Sequence, residues 1–209
     1  LDPFSQNMAP ELFSLDFFKE FKRVIKDTGI IATYTSSAPV RAGFIEAGFH
    51  VGQGPIFGRK QGGTLASPNP KMLDKSLPKN DEIRIALSDV GIPFRDHGLN
   101  NNSDVILDKR TEVRHNARHN TKISSAVKTP IFLTKKMDDE KLKRRVERNL
   151  VKMNIPSTTS KEAFYILECE KNYQEKQDLK NNSRNRILDM IKKLEKVKNG
   201  NYEIISSEE

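Results

Sequence analysis

The first five residues of the chain have the composition of a ligand-binding loop. Leu1 and Asp2 are followed by Pro3, Phe4 and Ser5. Ligands of α/β proteins bind outside the carboxyl ends of strands, and an acidic residue leaving a strand stands at such a place. Proline fixes φ and removes a backbone donor, so the loop is stiff and its carbonyl groups stay free to accept hydrogen bonds. At this place Asp2 could accept a hydrogen bond from a substrate amine, with Phe4 as a stacking surface, but these residues alone favour an ordinary turn or helix-entry segment.

Two cations further along the chain are suited to a phosphate contact. Arg59 and Lys60 come directly after Phe57 and Gly58. Phosphate oxygens accept hydrogen bonds from such side chains and from exposed backbone N–H groups. Two solvated charges at a turn are an equally good explanation of the same residues.

Positive charge is concentrated in one block of the chain. The 209 residues include 36 Lys and Arg against 28 Asp and Glu, and residues 109–152 hold fourteen of these basic residues with five acidic ones. An anionic partner would relieve the repulsion within the block. Its one aromatic residue is Phe132, which favours contact with an RNA backbone over base stacking. Four cations of one predicted helix form the candidate RNA surface, unless they are only a solvated face: Lys143, Arg144, Arg145 and Arg148.

Other residues of catalytic type carry no predicted site. His115 and His119 stand four apart, but arginines adjoin both and no acid or thiol is adjacent, so we expect no metal ion. The one cysteine, Cys169, lies between two glutamates whose charges disfavour a thiolate nucleophile. A single cysteine excludes an internal disulfide and predicts a reducing, cytoplasmic setting. No apolar run is long enough to predict a membrane span.

The elements that must position the first loop alternate between helix and strand. Apolar spacing predicts a helix over 10–25, a buried strand over 29–35 and a short helix over 36–47. Two more strands are predicted at 49–51 and 62–67. This order is typical of the back half of an α/β sheet.

The remainder of the chain is predicted to be mostly helical. Ser103 caps a polar helix that reaches about Asn120, and a basic helix begins near Asp138. Thr159 and Glu162 have the spacing of a capping box, and a last amphipathic helix stops at 199–200. A parallel sheet without its first strands buries its faces poorly. We therefore expect the chain to be the downstream part of a longer protein.

Short motifs stand in a fixed order at residues 1–5, 9–14, 31–38 with 40–41, 47–49, 57–60 and 91–96. These motifs resemble, in the same order, those of the MnmC-like tRNA methyltransferases, which form methylaminomethyl-uridine with S-adenosylmethionine. The resemblance extends over about residues 1–130, and the glycine loop that binds the cofactor in that family is missing from this sequence.

The resemblance implies the fold, the division and the activity of the chain. The fold would be α/β: the C-terminal half of a Rossmann-like class I methyltransferase sheet over residues 1–70, a family-like and partly basic segment over 71–133, and a basic helical extension over 134–209. The activity would be methylation of an aminomethyl group on the wobble uridine of tRNA. Without the glycine loop, the isolated chain is expected to be inactive. A missing amino-terminal half would be a further partner.

The resemblance also implies roles for single residues. Asp2 would be the catalytic carboxylate, and Leu1 and Asp2 would contact S-adenosylmethionine. Tyr34 would line the pocket, unless it is simply a packed aromatic side chain. The residues expected to bind tRNA outside the basic block are Pro3, Phe4, Ser5, Tyr34, Arg59 and Lys60.

Two other functions are compatible with the same residues. The chain could be a non-catalytic RNA-binding or interaction module that keeps half of a methyltransferase fold. It could also methylate another amine, since the fold alone does not select the acceptor.

Overall fold

The computed structural model describes residues 1–56, 62–125, 133, 137–167 and 182–202. Three short 3₁₀ turns accompany its helices and strands, at Pro10–Phe13, Pro70–Met72 and Asp89–Gly91. The strands are β1 (Ile31–Thr33), β2 (His50–Gln53) and β3 (Thr64–Ser67). The helices are α1 (Leu15–Val24), α2 (Ala38–Glu46), α3 (Lys79–Leu87), α4 (Ser103–Asn120), α5 (Glu140–Val151), α6 (Lys161–Leu167) and α7 (Ser183–Lys198).

The three strands form a small sheet in the order β1-β3-β2. β3 runs antiparallel to both neighbours, so β1 and β2 run parallel to each other, with Thr33 and Gln53 both facing Thr64 in register. A parallel β2–β3 pair would need a crossover of a dozen or more residues, and the ten residues between these strands are too few. Helices packed around this sheet confirm the predicted α/β class.

The predicted helix over 10–25 is divided at Ser14. This residue is extended, with ψ of 150°, and its hydroxyl caps α1 by accepting from the backbone N–H of Phe17. The backbone N–H of Leu15 donates to the carbonyl of Phe94 at 2.9 Å. The prediction of one continuous helix was wrong because a distant segment pairs with the chain at this point.

An aromatic cluster holds α1 and α2 against β2. The rings of Phe18 and Phe44 stack with centroids 3.9 Å apart, and Phe49 meets Phe44 edge to face. All three side chains are fully buried. Burial of each ring contributes about 1.5–3 kcal/mol relative to exposure, so this cluster fixes the helices behind the strands.

Four cations on α4 or just after it bind groups of the chain itself. They occur at every fourth residue: Arg110, Arg114 and Arg118 share one face of α4, and Lys122 lies two residues beyond its end. Arg114 and Arg118 donate to the buried carboxylate of Asp89. Asp89 therefore offsets part of the positive charge for which the sequence predicted an anionic partner.

The two ends of this row bind carbonyl oxygens. Arg110 donates to the carbonyl groups of Ile92 at 2.7 Å and Val90 at 3.1 Å, and burial together with the charge of Arg114 lowers the pKa of Arg110 to about 10. Lys122 donates to the carbonyl of Ala86 at 2.6 Å, near the carboxyl end of α3. The row therefore holds α4 along the segment that follows α3.

The last helix, α7, packs against α3 and β2. The backbone N–H of Leu77 donates to the hydroxyl of Ser183 at 2.8 Å, and Nδ1 of His50 lies 3.0 Å from the side-chain oxygen of Asn182. These contacts cross the boundary at 133/134, and the three-part division of the chain stays a prediction. No helix of the described residues is long and apolar enough to cross a membrane.

We predict that Asp89→Asn destabilises the fold at neutral pH and that the effect fades in acid. Burial raises the pKa of Asp89, but hydrogen bonds from Ser125, Arg118 and Arg114 outweigh it, so the pKa lies below its usual value. A carboxylate of this kind contributes stability above its unfolded pKa and loses it as pH falls through the folded pKa. Loss of these charge-assisted bonds costs about 1–3 kcal/mol. Urea unfolding at pH 7, 5 and 3 measures the difference.

The exposed Asp74→Asn is the matched control, and it should leave the free energy of unfolding nearly unchanged at each pH. Equal losses in the two variants at pH 7 would show that Asp89 is not a stabilising partner of the α4 arginines.

Candidate functional site

A cleft of about 490 Å³ opens at one edge of the sheet. The carboxyl ends of β1 and β2 meet the amino end of β3 there, together with the start of the chain. Its lining is formed by Leu1, Asp2, Ala32, Thr33, Tyr34, Gly54, Pro55, Gly63, Thr64 and Leu65. Among the described lining residues, Asp2 has the one formally charged side chain, and the amino group of Leu1 lies at the same edge. The Asp2 carboxylate can accept a hydrogen bond from a ligand in the cleft.

The loop that carries Asp2 is tied to β1 and to the residue after it. The backbone nitrogen of Leu1 donates to the carbonyl of Ala32 at 2.7 Å. The hydroxyl of Tyr34 lies 3.2 Å from the carbonyl of Pro3 and 3.1 Å from that of Phe4. A phenol has one hydrogen, so the two carbonyl groups share it. Tyr34 thus lines the cleft and also positions the loop.

The floor of the cleft requires glycine because two backbone segments touch. A Cβ atom on Gly63 would lie 2.2 Å from the carbonyl oxygen of Thr33, and one on Gly62 would lie 2.2 Å from that of Gly54. The backbone N–H of Gly54 donates to the carbonyl of Gly63 at 3.0 Å. No side chain other than hydrogen leaves room for this contact.

A buried arginine supports the cleft from behind. Arg41 is 1% exposed, and its Nε donates to the hydroxyl of Thr64 at 2.8 Å. Its Nη2 donates to the carbonyl of Gly63 at 3.2 Å, and its Nη1 donates to Asp81 at 2.7 Å. The hydroxyl of Thr64 donates in turn to the carbonyl of Thr35. One guanidinium thereby joins the end of β1, the start of β3 and α3.

The charge of Arg41 is kept by its partners. Burial lowers the pKa of this guanidinium, and the hydrogen bond and charge of Asp81 act in the opposite direction. Removal of one partner from a buried ion pair leaves an uncompensated charge, which is strongly destabilising. The sequence contained a signal that Arg41 is buried, because it is the one cation in the otherwise apolar stretch 38–45, but no signal for its partner.

The predicted site residues at the chain start reach the cleft to different extents. Leu1, Asp2 and Tyr34 line it. Pro3 and Phe4 meet Tyr34 through their carbonyl groups, and the ring of Phe4 is 82% exposed. The exposed Ser5 accepts from two backbone N–H groups of the following turn through its carbonyl. Thr64, Gly63 and Arg41 belong to the site although sequence reasoning gave them no role.

The predicted cations lie away from this cleft or outside the described residues. Lys143 on α5 is half-buried, 3.7 Å from Glu140, whereas Arg144, Arg145 and Arg148 are exposed. Arg59 and Lys60 lie outside the described residues, as does Cys169. His115 is exposed on α4, and the side chain of His119 is outside the description. In the described ranges no group of three His, Cys, Asp or Glu side chains could hold a metal.

Known proteins resemble the part of the chain that builds this cleft. The profile of a family described as S-adenosyl-L-methionine-dependent methyltransferases matches residues 1–69. A protein named tRNA 5-methylaminomethyl-2-thiouridine biosynthesis bifunctional protein MnmC, from Ralstonia nicotianae, is 42% identical over 67 residues, which are 32% of this chain and 10% of that protein. The crystal structure of MnmC2 from Aquifex aeolicus matches with a TM-score of 0.50 and 32% sequence identity. The match covers 55% of this chain and 37% of the MnmC2 chain.

We call residues 1–69 the methyltransferase segment, after the family whose profile they match and the MnmC proteins that the chain resembles. An uncharacterized protein of Methanocaldococcus jannaschii extends the similarity, with 36% identity over 113 residues, 54% of this chain. The chain spans about a third of that protein's length and less of the MnmC proteins. The methyltransferase segment contributes the cleft, and Arg41 lies within it.

We predict that Thr64→Val loosens the cleft floor while Thr64→Ser preserves it. Valine matches the shape of threonine but cannot accept from Arg41 or donate to Thr35, so a buried donor and acceptor lose their partners. We expect a loss of about 1–3 kcal/mol in the free energy of unfolding. Chemical denaturation measures the loss, and hydrogen exchange of the Gly54 amide, which crosses the floor, should accelerate in the valine variant.

Serine keeps the hydroxyl and removes only a methyl group, so its Gly54 amide should exchange as in the parent. The same acceleration in both variants would mean that packing of the methyl group, and not the hydrogen bonds to Arg41 and Thr35, holds the floor.

Proposed function

We propose that the chain provides the acceptor side of a tRNA methyltransferase that methylates an aminomethyl group on the wobble uridine. The observation that carries this proposal is the cleft of the methyltransferase segment, where Asp2 is the sole formally charged side chain of the lining. The carboxylate of Asp2 can accept a hydrogen bond from an amine and does not repel a sulfonium. The name of the Ralstonia nicotianae relative supports the choice of acceptor.

Methyl transfer to an amine depends more on positioning of the two reactants than on strong acid–base catalysis. The lone pair of a neutral amine forms a bond to the methyl carbon while the bond from that carbon to sulfur breaks. S-Adenosylmethionine supplies this electrophilic methyl group. Asp2 orients the amine through a hydrogen bond, and the proton released after transfer passes to this carboxylate or to water. Tyr34 ties the Asp2 loop to the cleft through the carbonyl groups of Pro3 and Phe4, and a fixed loop helps to hold the amine in position for the displacement.

The described residues fit one part of the cofactor, the positively charged sulfonium. The carboxylate of Asp2 and the hydroxyl of Thr33 provide oxygen atoms at this edge for a positive centre, whereas the hydroxyl of Thr64 is already bonded to Arg41 and Thr35. We propose that further strands complete the cofactor site by pairing with β1. This strand is an edge of the described sheet, and the carbonyl of its Ala32 already accepts from Leu1.

A second candidate function is RNA binding without catalysis, with α5 as the interface. The apolar residues Val146 and Leu150 are buried on one side of this helix. Its other side exposes a row of cations: Lys141, Arg144, Arg145, Arg148 and Lys152. Unlike the row on α4, these side chains are solvent-exposed. They support contact with an RNA backbone in either function.

We predict that Asp2→Asn lowers methyl transfer by about 10²-fold or more, the scale of a lost positioned acid–base group. The assay is single-turnover transfer to tRNA that lacks the final methyl, with the chain joined to the strands that complete its sheet. The exposed Asp27→Asn is the control and should keep the parental rate.

Both variants should bind tRNA with equal affinity, because Asp2 contacts a single amine and contributes little to the binding of the whole tRNA. If Asp2→Asn transferred the methyl group at the parental rate, the Asp2 carboxylate would have no role in the reaction. If the parent methylated a small polyamine but not tRNA, the methyltransferase activity would stand and the proposed tRNA acceptor would be wrong. Tight tRNA binding without any transfer by the parent would favour the non-catalytic function.

We predict that replacing four α5 residues by Gln weakens tRNA binding and flattens its salt dependence: Lys143, Arg144, Arg145 and Arg148. Gln keeps helix propensity, so the loss is one of charge. Each lost phosphate contact should reduce the slope of log K against log salt by about one unit or slightly less. Titrations of the 209-residue chain with tRNA at several salt concentrations measure it.

Exposed cations on α7 provide the control, with Lys192 and Lys196 replaced by Gln. These changes should leave the slope unaltered. If the α5 variant keeps the parental affinity and slope, this helix presents a solvated face and tRNA is bound elsewhere.

A further inference from the structure

A second cavity, separate from the methyltransferase cleft, lies where four helices meet. It has a volume of about 230 Å³, and α2, α3, α4 and α7 all contribute to its walls. Branched aliphatic side chains form much of the wall, including Ile45, Ile85, Ile187 and Ile191. An apolar cavity between helices with a few polar groups is the usual form of a small-molecule site.

One cation of this cavity lacks a carboxylate partner. Lys122 lines the cavity at the end of α4, and among the described residues its amine donates to one oxygen, the carbonyl of Ala86. An ammonium group has three donors. Burial lowers the pKa of Lys122, and the charges of Glu46 and Glu195 act against this from beyond ion-pair distance.

The other charges in the lining cancel. Arg95 and Glu46 form a 2.6 Å ion pair, with both side chains about 40% exposed. Lys122 therefore leaves the lining with a net positive charge. A smaller cavity of about 150 Å³ shares Ile92, Pro93, Arg95 and Val113 with the first, and adds Lys109 and Arg110 against one acid, Glu112. The positive character continues along α4.

We propose that this cavity binds a small apolar anion, a monocarboxylate with a short hydrocarbon chain, and that Lys122 is its counter-ion. A water-sized group occupies about 30 Å³, so 230 Å³ accommodates about seven or eight non-hydrogen atoms. The hydrocarbon lies against the isoleucine side chains and the carboxylate accepts from the free donors of Lys122. This site does not depend on the proposed methyl transfer.

Hexanoate tests the proposal on the 209-residue chain labelled with ¹³C at isoleucine methyl groups. We expect hexanoate to shift the signals of Ile85 and Ile187 with a Kd of about 1 mM or below, and hexan-1-ol to bind about tenfold more weakly, the scale of a charge-assisted hydrogen bond. Hexylamine should bind more weakly still. Equal affinities for the acid and the alcohol, or no shift with hexanoate, would overturn the site.

Two variants locate the effect. Lys122→Met keeps the aliphatic stem and should remove the preference for hexanoate over hexan-1-ol, whereas the exposed Lys196→Met should keep it. Ala117→Leu places three more carbon atoms in the lining and should abolish binding of both compounds. Undiminished preference in Lys122→Met would also overturn the proposal. If either variant fails to fold, the comparison of the three compounds on the parent still decides.

Discussion

The buried guanidinium of Arg41 is the constraint on which the cleft and the helices behind it depend. It binds the start of β3 and, through Thr64, the end of β1. Its ion pair reaches Asp81 in the first turn of α3, and the next residue, Glu82, pairs with Arg186 of α7. Asp81 and Glu82 thus lie in the first turn of α3, where the helix dipole favours negative charge, and each binds one arginine. The position of the cleft and that of the last helix are set by the same turn.

The positive charge of the chain serves two different purposes. On α4 and just after it, cations at every fourth residue bind carbonyl groups and the Asp89 carboxylate, so their charge stabilises the fold. On α5, a similar number of cations stays in solvent while the apolar side of the helix is buried. Amino-acid composition treats both rows alike. Only the packing distinguishes cations that are bonded within the fold from exposed cations that can bind a partner.

The sequence predicted most elements because their signals are local. Apolar periodicity indicated α1, α2 and the strands, and Gly48 and Gly200 have the positive φ expected where helices end. The α6 cap was displaced by one residue, since Ser160 and not Thr159 accepts from the helix. α3 was missed because its first turn is polar and its apolar residues span barely one turn. Nothing local reveals that Arg41 meets Thr64 and Asp81, since those partners lie 23 and 40 residues away.

The packing of α7 also imposes an order on the making of the protein. Ser183 meets Leu77 across 106 residues of chain. Ribosomes add about 5–20 residues each second, so α3 and β2 wait for several seconds after emerging before α7 can cover them. During that interval the aliphatic side of α3 is open to water and to other nascent chains. Contacts so distant in sequence form slowly, which makes the newly synthesised amino-terminal part a natural client for chaperones that bind exposed apolar surface.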